Sequence, residues 1–261
     1  MYESERKNRK GFCMTVTKYS GNGNDFVMFL AQEKKDRSAL AKILCHRQNG
    51  VGADGLVVLL PHPKYDFEWE FYNSDGSHAD MCGNASRCVA HFAHEKGICK
   101  DNKAEFLTGA GVINATINGL YVVSDMTEPD IIKTEIQEYG ENWWLIDSGV
   151  PHLVAVRESI EHFDIEEARK LRQKYNANVN ICRIEGDTMY VRTYERGVED
   201  ETLACGTGMV ACFIRNHREE KIKDQIKVHP ISGDELYISY EEDIYRFGGK
   251  VTKTFVAETT M

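Results

Sequence analysis

Two cysteines in this chain stand in settings that suit acid–base chemistry. Cys205, in the stretch LACGTGMVAC (203–212), directly precedes a Gly-Thr-Gly and an apolar pattern of helical spacing. It has no CxxC neighbour and no histidine cluster beside it. Comparing the chain with itself supplies a partner. MCGNASRCVAHFA (81–93) aligns with ACGTGMVACFIRN (204–216), each with Cys-Gly, a polar residue, a small residue and then a helical pattern. The preceding segments EFYNSDGSHADM and RTYERGVEDETLA also match in kind, running from a Tyr-bearing strand end into an acidic, Gly-bearing turn. A weaker pair is SGNGNDFVMF (20–29) with SGVPHLVAV (148–156). The repeated order of strand, turn, Cys-Gly and helix implies a duplication, hence two similar lobes with Cys82 and Cys205 facing each other across a cleft.

The chemistry of such a pair follows from helix physics. A free thiol titrates near ~8.5, and a helix N-terminus can lower that to roughly 3.5–7.5 by favouring the thiolate. The unpaired N–H groups of a first turn bind anions, and glycine lets a ligand approach the backbone. Two such starts converging on one carboxylate would hold it from both sides and stabilise the charge left when the adjacent carbon loses its proton. A thiolate on one face and a thiol on the other is what inversion of that carbon requires. The expected reaction is a two-base epimerisation or racemisation at the α-carbon of an amino acid.

The rest of the composition is compatible with such an enzyme. The chain has 261 residues, 42% of them hydrophobic and 28% charged, enough for two ordinary lobes around real cores. A formal net charge of -9 argues against nucleic-acid and anionic-membrane partners. No apolar run approaches a membrane span, and MYESERKNRKGFCM lacks the apolar stretch of a signal peptide. A cytoplasmic location is expected, where the eight cysteines would be reduced.

The elements that must position the cysteines read as mixed α/β with many short strands. LVVLLP (56–61) reads as a buried strand, and DFEWEFY (66–72) as a half-buried one, Phe67, Trp69 and Phe71 alternating with Glu68 and Glu70. VINATINGLYVVS (112–124) carries Asn118-Gly119 between two alternating runs, a hairpin signal. MYVRTYE (189–195) and ELYISYEEDIYRF (235–247), with a turn inside it, are further strands. Helices are expected over SALAKILCHR (38–47) and DIEEARKLRQKY (164–175), the latter with a capping box of Asp164 and Glu167. The polar, aperiodic stretch 130–142 reads as a linker. The expected organisation is a disordered leader over 1–13, a first lobe over 14–130 and a second over 131–249, with a strand at about 250–261 returning to the first.

On the blocks GNGNDF, NSDGSHADMCGNASR, GVPH, NANVN and RTYERGVEDETLACGTG, from about Lys18 to the C-terminal strand, the chain resembles the diaminopimelate epimerases. The resemblance implies a cofactor-independent isomerase of lysine and peptidoglycan-precursor synthesis, acting on a small amino-acid substrate as a homodimer. It implies two pseudo-symmetric α/β lobes, each a mixed sheet wrapped around a central helix. Carried over by position, Cys82 is the proton donor and Cys205 the proton acceptor. Gly83, Asn84, Gly206 and Thr207 form the helix starts that hold the reacting carboxylate. Glu195 and Arg196 grip the α-amino group and the distal end, and Glu195 with His152 tunes the thiols. Asn24, Asn73 and Asn178 read the rest of the substrate. The chain departs from the family's pattern at three positions. Gly55 stands where many members carry Gln, Val150 where many carry Asn, and Ala85 where a second Gly is usual, so Gly55 and Val150 bear on substrate recognition.

Other readings of the same residues are weaker. A racemase of histidine or proline type on the same fold would share the paired cysteines, though ERG…ACGTG and NDF fit it less well. Cys88, His91 and His94 step by three, which drifts around a helix, and no fourth ligand accompanies them, so no metal is expected. GNGN (21–24) lacks the third glycine and following helix of a dinucleotide fingerprint, and no lysine has a recognisable pyridoxal setting. Cys13, Cys45, Cys88, Cys99, Cys182 and Cys212 read as packing or surface thiols.

Overall fold

The computed structural model describes residues 13–260. The first half runs β1 (Cys13–Gly21), β2 (Asn24–Leu30), α1 (Ser38–Cys45), β3 (Gly55–Leu60), β4 (Phe67–Asn73), α2 (Gly83–Glu95), β5 (Lys103–Thr108), β6 (Gly111–Asn118) and β7 (Tyr121–Asp125). The second runs β8 (Asp130–Glu138), β9 (Glu141–Asp147), β10 (Pro151–Val156), α3 (Ile165–Tyr175), β11 (Asn178–Glu185), β12 (Thr188–Glu195), β13 (Asp200–Thr202), α4 (Gly206–Arg218), β14 (Gln225–Pro230), β15 (Leu236–Glu241), β16 (Ile244–Lys250) and β17 (Thr252–Thr260).

Strand pairing repeats with the sequence. β2 and β3 are parallel, β3 and β4 antiparallel, β4 and β5 parallel, and β5, β6 and β7 follow antiparallel. The same order recurs as β10, β11, β12, β14, β15 and β16. β7 and β16 pair antiparallel, Gly248 opposite Val123, and so join the halves in one sheet. β17 pairs with β1, and β8 with β9.

Each sheet half is covered on two faces, which accounts for the fully buried β3. Val57 and Leu59 pack toward α2 with Phe26, Phe67 and Phe92, while Leu56 and Val58 pack toward α1 with Val27 and Leu44. The second half repeats this, with Val154 and Val191 on the α4 side and Leu153 and Ile181 on the α3 side. Parallel strands covered by helices on both faces read as continuous apolar runs.

Local signals decide the element ends. The Asp164 carboxylate accepts from Glu167 N–H at 3.0 Å, capping α3. The β6–β7 hairpin turns at Gly119-Leu120, with Asn118 opposite Tyr121 and only Gly119 left-handed (φ 58°). That is the pattern of a type II′ turn, one residue beyond the Asn-Gly that marked it.

Two expectations need correction. Residues 130–142 are not a linker: β8 and β9 form a hairpin through the left-handed Tyr139 and Gly140. β8 is an edge strand on which only Ile136, opposite Trp143, is buried, so it shows no alternation. Nor is β4 half-buried, because Glu70 faces α1 at 6% exposure, paired with Arg37 and accepting from Lys35 N–H at 2.9 Å. Residues 1–12 of the expected leader lie outside the described residues, while its last residue, Cys13, already belongs to β1 and pairs with Thr260.

Candidate active site

Each cysteine is the N-cap of its helix, in extended backbone: φ -154°, ψ 120° at Cys82 and φ -121°, ψ 110° at Cys205. α2 and α4 are both 13 residues long and begin at the glycine after the cysteine. Their starts meet over one aromatic ring. A Cβ on Gly83 would lie 3.2 Å from Phe247, and one on Gly206 would lie 3.1 Å from Phe247 and 3.5 Å from Asn84 Oδ1. Any side chain at either glycine would crowd the ring that both helix starts share. Two sets of first-turn N–H groups, each with its positive helix end, therefore converge on one place.

The residue two beyond each cysteine is tied to a strand start at matching places in the repeat. Asn84 Nδ2 donates to Asn24 Oδ1 at 3.4 Å, and Thr207 Oγ1 bonds His152 Nε2 at 2.9 Å. Cys82 Sγ lies 3.6 Å from Asn24 Oδ1, and Cys205 Sγ lies 3.6 Å from Thr207 Oγ1.

His152 is fully buried, and burial pulls its pKa down to about 3. The ring is neutral at ordinary pH. Asn180 Nδ2 donates to Nδ1 at 3.0 Å, which leaves the ring proton on Nε2, toward Thr207. Asn180 is itself oriented, since its Oδ1 accepts from Thr193 Oγ1 at 2.9 Å and its Nδ2 also reaches Leu153 O at 3.2 Å.

The expected lowering of the thiol pKa values does not hold in this arrangement. Burial, helped by the nearby charge of Glu195, pushes both thiols above the ordinary range, Cys205 strongly so. The first-turn N–H groups of Ala85 and Asn84 at Cys82, and of Gly208 at Cys205, act in the expected direction. Desolvation is the larger effect, because a thiolate loses more solvation than one helix start returns. Burial likewise raises the Glu195 carboxyl.

Around this centre, Arg196 N–H donates to Asn178 Oδ1 at 2.7 Å, and Asn178 Nδ2 lies 3.4 Å from His152 Nε2. The Arg196 guanidinium donates to Asn176 O, the left-handed C-cap of α3, at 2.9 Å. Asn24, Cys82, Asn84, His152, Asn178, Glu195, Arg196, Cys205, Gly206, Thr207 and Gly83 are thus linked by contacts or fields.

The remaining three expected residues are placed differently. Asn73 ends β4 opposite Gly55 and donates to Ser77 Oγ at 3.0 Å. Gly55 is buried, and its Cβ direction is closed by Phe71 at 2.7 Å and Tyr72 O at 2.9 Å, so a larger residue there would need the strand to move. Val150 follows the left-handed Gly149 (φ 116°) in the turn before β10, and its carbonyl accepts from Ser148 N–H at 3.3 Å.

Three supporting residues escaped the sequence reading. Asp54 accepts from Asn24 Nδ2 at 2.7 Å and from Arg47 at 2.7 Å, fixing the amide that faces Cys82. Asn180 and Phe247 complete the set. Asn180 lies within a block that carried the resemblance (NANVN) and Asp54 directly precedes Gly55, one of the departures from the family's pattern, whereas Phe247 had no distinguishing signal. Cys88 is buried, and His91 Nδ1 lies 3.0 Å from Tyr19 Oη. Among the described residues no group of three or more His, Cys, Asp or Glu is arranged to hold a metal, and no described helix is long and apolar enough to cross a membrane.

Comparison with known proteins agrees with this architecture. A probable proline racemase from Agrobacterium radiobacter K84 superposes with a TM-score of 0.76 over 95% of this chain and 93% of that one, at 16% identity. A phenazine biosynthesis protein from Bacillus anthracis does so at 0.72 over 96% and 100%, at 13% identity. At those identities the likeness shows the shared fold. Sequence relatives are much nearer. A diaminopimelate epimerase from a Nitratiruptor species is 54% identical, over 93% of this chain and 97% of that protein. One from Helicobacter pylori is 44% identical, over 91% and 93%. The family model for diaminopimelate epimerase matches residues 16–132 and 144–253. With two helix-capping cysteines set on a duplicated fold, this chain belongs to the diaminopimelate epimerase family.

Proposed function

We propose that the chain epimerises L,L-2,6-diaminopimelate to the meso form without pyridoxal phosphate, using Cys205 as the base and Cys82 as the acid. The observation that carries this reading is the meeting of two Cys-capped helix starts over Phe247. The substrate α-carboxylate lies between the first turns of α2 and α4, near Gly83, Asn84, Gly206 and Thr207. Cys205 as thiolate takes the α-proton, the N–H groups of both helices stabilise the resulting carbanion, and the Cys82 thiol returns a proton to the opposite face.

Burial and Glu195 both oppose a thiolate in the substrate-free site. An α-ammonium set against Glu195 offsets that charge, so the substrate itself promotes ionisation of the thiol that deprotonates it. His152, neutral, fixes Thr207 and acts through hydrogen bonding rather than charge. Asn24, Asn73, Asn178 and Arg196 read the distal amino-acid end, with Gly55 and Val150 lining it by shape alone. The enzyme works in the cytoplasm as a homodimer in this reading.

Incubation with L,L-diaminopimelate in heavy water tests it. Deuterium should enter the α-position as meso product forms, and Cys82→Ala or Cys205→Ala should each abolish epimerisation. A Cys82→Ala enzyme that retains about a tenth of the parent rate, a loss of only about 1.4 kcal/mol, would contradict two-base chemistry. Substrate identity is tested separately by kcat/KM against L-histidine, L-lysine and L-proline. If any of these matches L,L-diaminopimelate, the mechanism stands and the named substrate falls.

A further inference from the structure

The duplication makes one asymmetry visible. Arg87 lies one turn into α2, and the residue at the matching place in α4 is Val210. Both are fully buried. Val210 belongs in a core; a guanidinium does not, unless charge or geometry is needed there.

The hydrogen-bond partners of Arg87 are neutral. One terminal nitrogen donates to Asn84 Oδ1 at 2.6 Å and to Asn22 Oδ1 at 2.7 Å, and Nε donates to Gly83 O at 3.3 Å. The guanidinium carbon stands 4.5 Å over the Phe247 ring. The other terminal nitrogen has no hydrogen-bond partner among the described residues. No salt bridge to a carboxylate is formed among the described residues. The ionisable groups that face it are Cys88, Cys82, Tyr121 and Asp234, of which only Asp234 is ordinarily charged. Room for the group comes from Gly249, where any Cβ would collide with the guanidinium and with Leu236.

This side chain is tied to every component of the Cys82 half-site. Asn22 is left-handed (φ 58°) and heads the turn that presents Asn24 to Cys82. Asn84 bonds Asn24, and Phe247 underlies both helix starts. We propose that Arg87 is a positioning residue that holds the Asn22–Asn24 turn and the α2 start together, and whose buried charge makes Cys82 a stronger acid than the duplicated fold alone would. Its positive charge acts at Cys82 in the direction of the thiolate, added to the first-turn N–H groups and set against burial and Glu195, which are larger influences there than Arg87. When Cys82 gives up its proton, the negative charge appears at the N-cap of the helix whose second turn carries a cation that solvent does not screen. Cys205 has the neutral His152–Thr207 pair in place of such a cation.

The inference rests on Cys82 and Cys205 as the reacting pair, but its test needs no turnover. The substrate-free full chain is pulsed with iodoacetamide across a pH series, and peptide mapping gives the alkylation rate of each cysteine. Arg87→Met removes the charge; Arg87→Gln removes it while keeping a donor for the two asparagines, and serves if the Met variant does not fold. Arg87→Lys keeps the charge without the fork. At neutral pH the neutral variants should alkylate Cys82 about tenfold more slowly, with Cys205 within about twofold of the parent and Lys near the parent at both. Equal slowing at both cysteines, no slowing at Cys82, or a Lys variant as slow as Met overturns the proposal. A failure of the two-base reading would surface instead as epimerisation by Cys82→Ala, whichever way the alkylation result falls.

Discussion

Gly208→Ala is the sharpest test of how the second helix start is built. Gly208 and Ala85 occupy the same place in the two repeats, yet only one can be alanine. A Cβ on Gly208 would overlap Asn180 Oδ1 and lie 3.2 Å from Thr193 Oγ1 and 3.3 Å from His152. The far end of a flexible side chain could yield, but Asn180 is fully buried and held by Thr193, His152 and Leu153. Overpacking such a site costs about 1–3 kcal/mol, and each disturbed hydrogen bond adds about 1 kcal/mol. The gain in helix propensity from Gly to Ala returns at most about 1 kcal/mol. The net loss is about 2 kcal/mol, which for a chain of this size lowers Tm by roughly 4–8 °C. Because Asn180 holds His152, and His152 holds Thr207, kcat should fall by about tenfold as well. The control is Ala85→Gly, which should cost about 1 kcal/mol and leave kcat within about twofold. Thermal unfolding and steady-state kinetics on both variants decide it. A Gly208→Ala protein as stable and active as the parent would show that Asn180 does not fix the second half-site.

Other perturbations test neighbouring points. His152 has a folded pKa of about 3 against an ordinary 6.5, so between those values the unfolded chain binds the extra proton and stability falls as pH drops. His152→Gln should therefore show a shallower loss of unfolding free energy on acidification from pH 6.5 toward 3, and a variant with the parent's slope would refute a buried neutral ring. Arg37 and Glu70 form a buried ion pair at 3% and 5% side-chain exposure, so Arg37→Met should cost about 3–5 kcal/mol with little change in kcat. Arg37→Met/Glu70→Gln, which keeps an acceptor for Lys35 N–H, should recover much of that loss in urea unfolding; no recovery would mean the cost was packing alone. Mild oxidation should inactivate reversibly through a Cys82–Cys205 disulfide restored by a thiol reductant; peptide mapping that tracks inactivation to Cys45 instead would refute this.

Local patterns in the sequence were enough to place many elements, because the forces that form them act over a few residues. The α3 cap needs only Asp164 and Glu167, and the Gly119 hairpin needs one residue that tolerates a left-handed backbone. The apolar run of β3 announces a strand covered on both faces. β8 was illegible for the opposite reason: as an edge strand it buries one residue, and its pairing to β9 is made by backbone groups that any side chain permits.

The candidate site divides along the same line. The duplicated Cys-Gly pattern is a property of the chain, and it identified both thiols and the convergence they required. Where those thiols titrate is settled on folding, since burial and Glu195 arrive from elements far away in sequence and outweigh the helix field that the motif implies. The same holds for Glu70, which reads as a solvent-facing strand charge until Arg37 is brought across from the start of α1. Phe247 looks like any strand phenylalanine, and Arg87 like a polar helix residue, until folding sets one ring beneath two helix starts and one cation against it. Which groups could do the chemistry, and that they come as a pair, is written in the chain. Their protonation, their supports and the asymmetry between them emerge in the folded molecule, because desolvation and long-range charge depend on neighbours that no local pattern names.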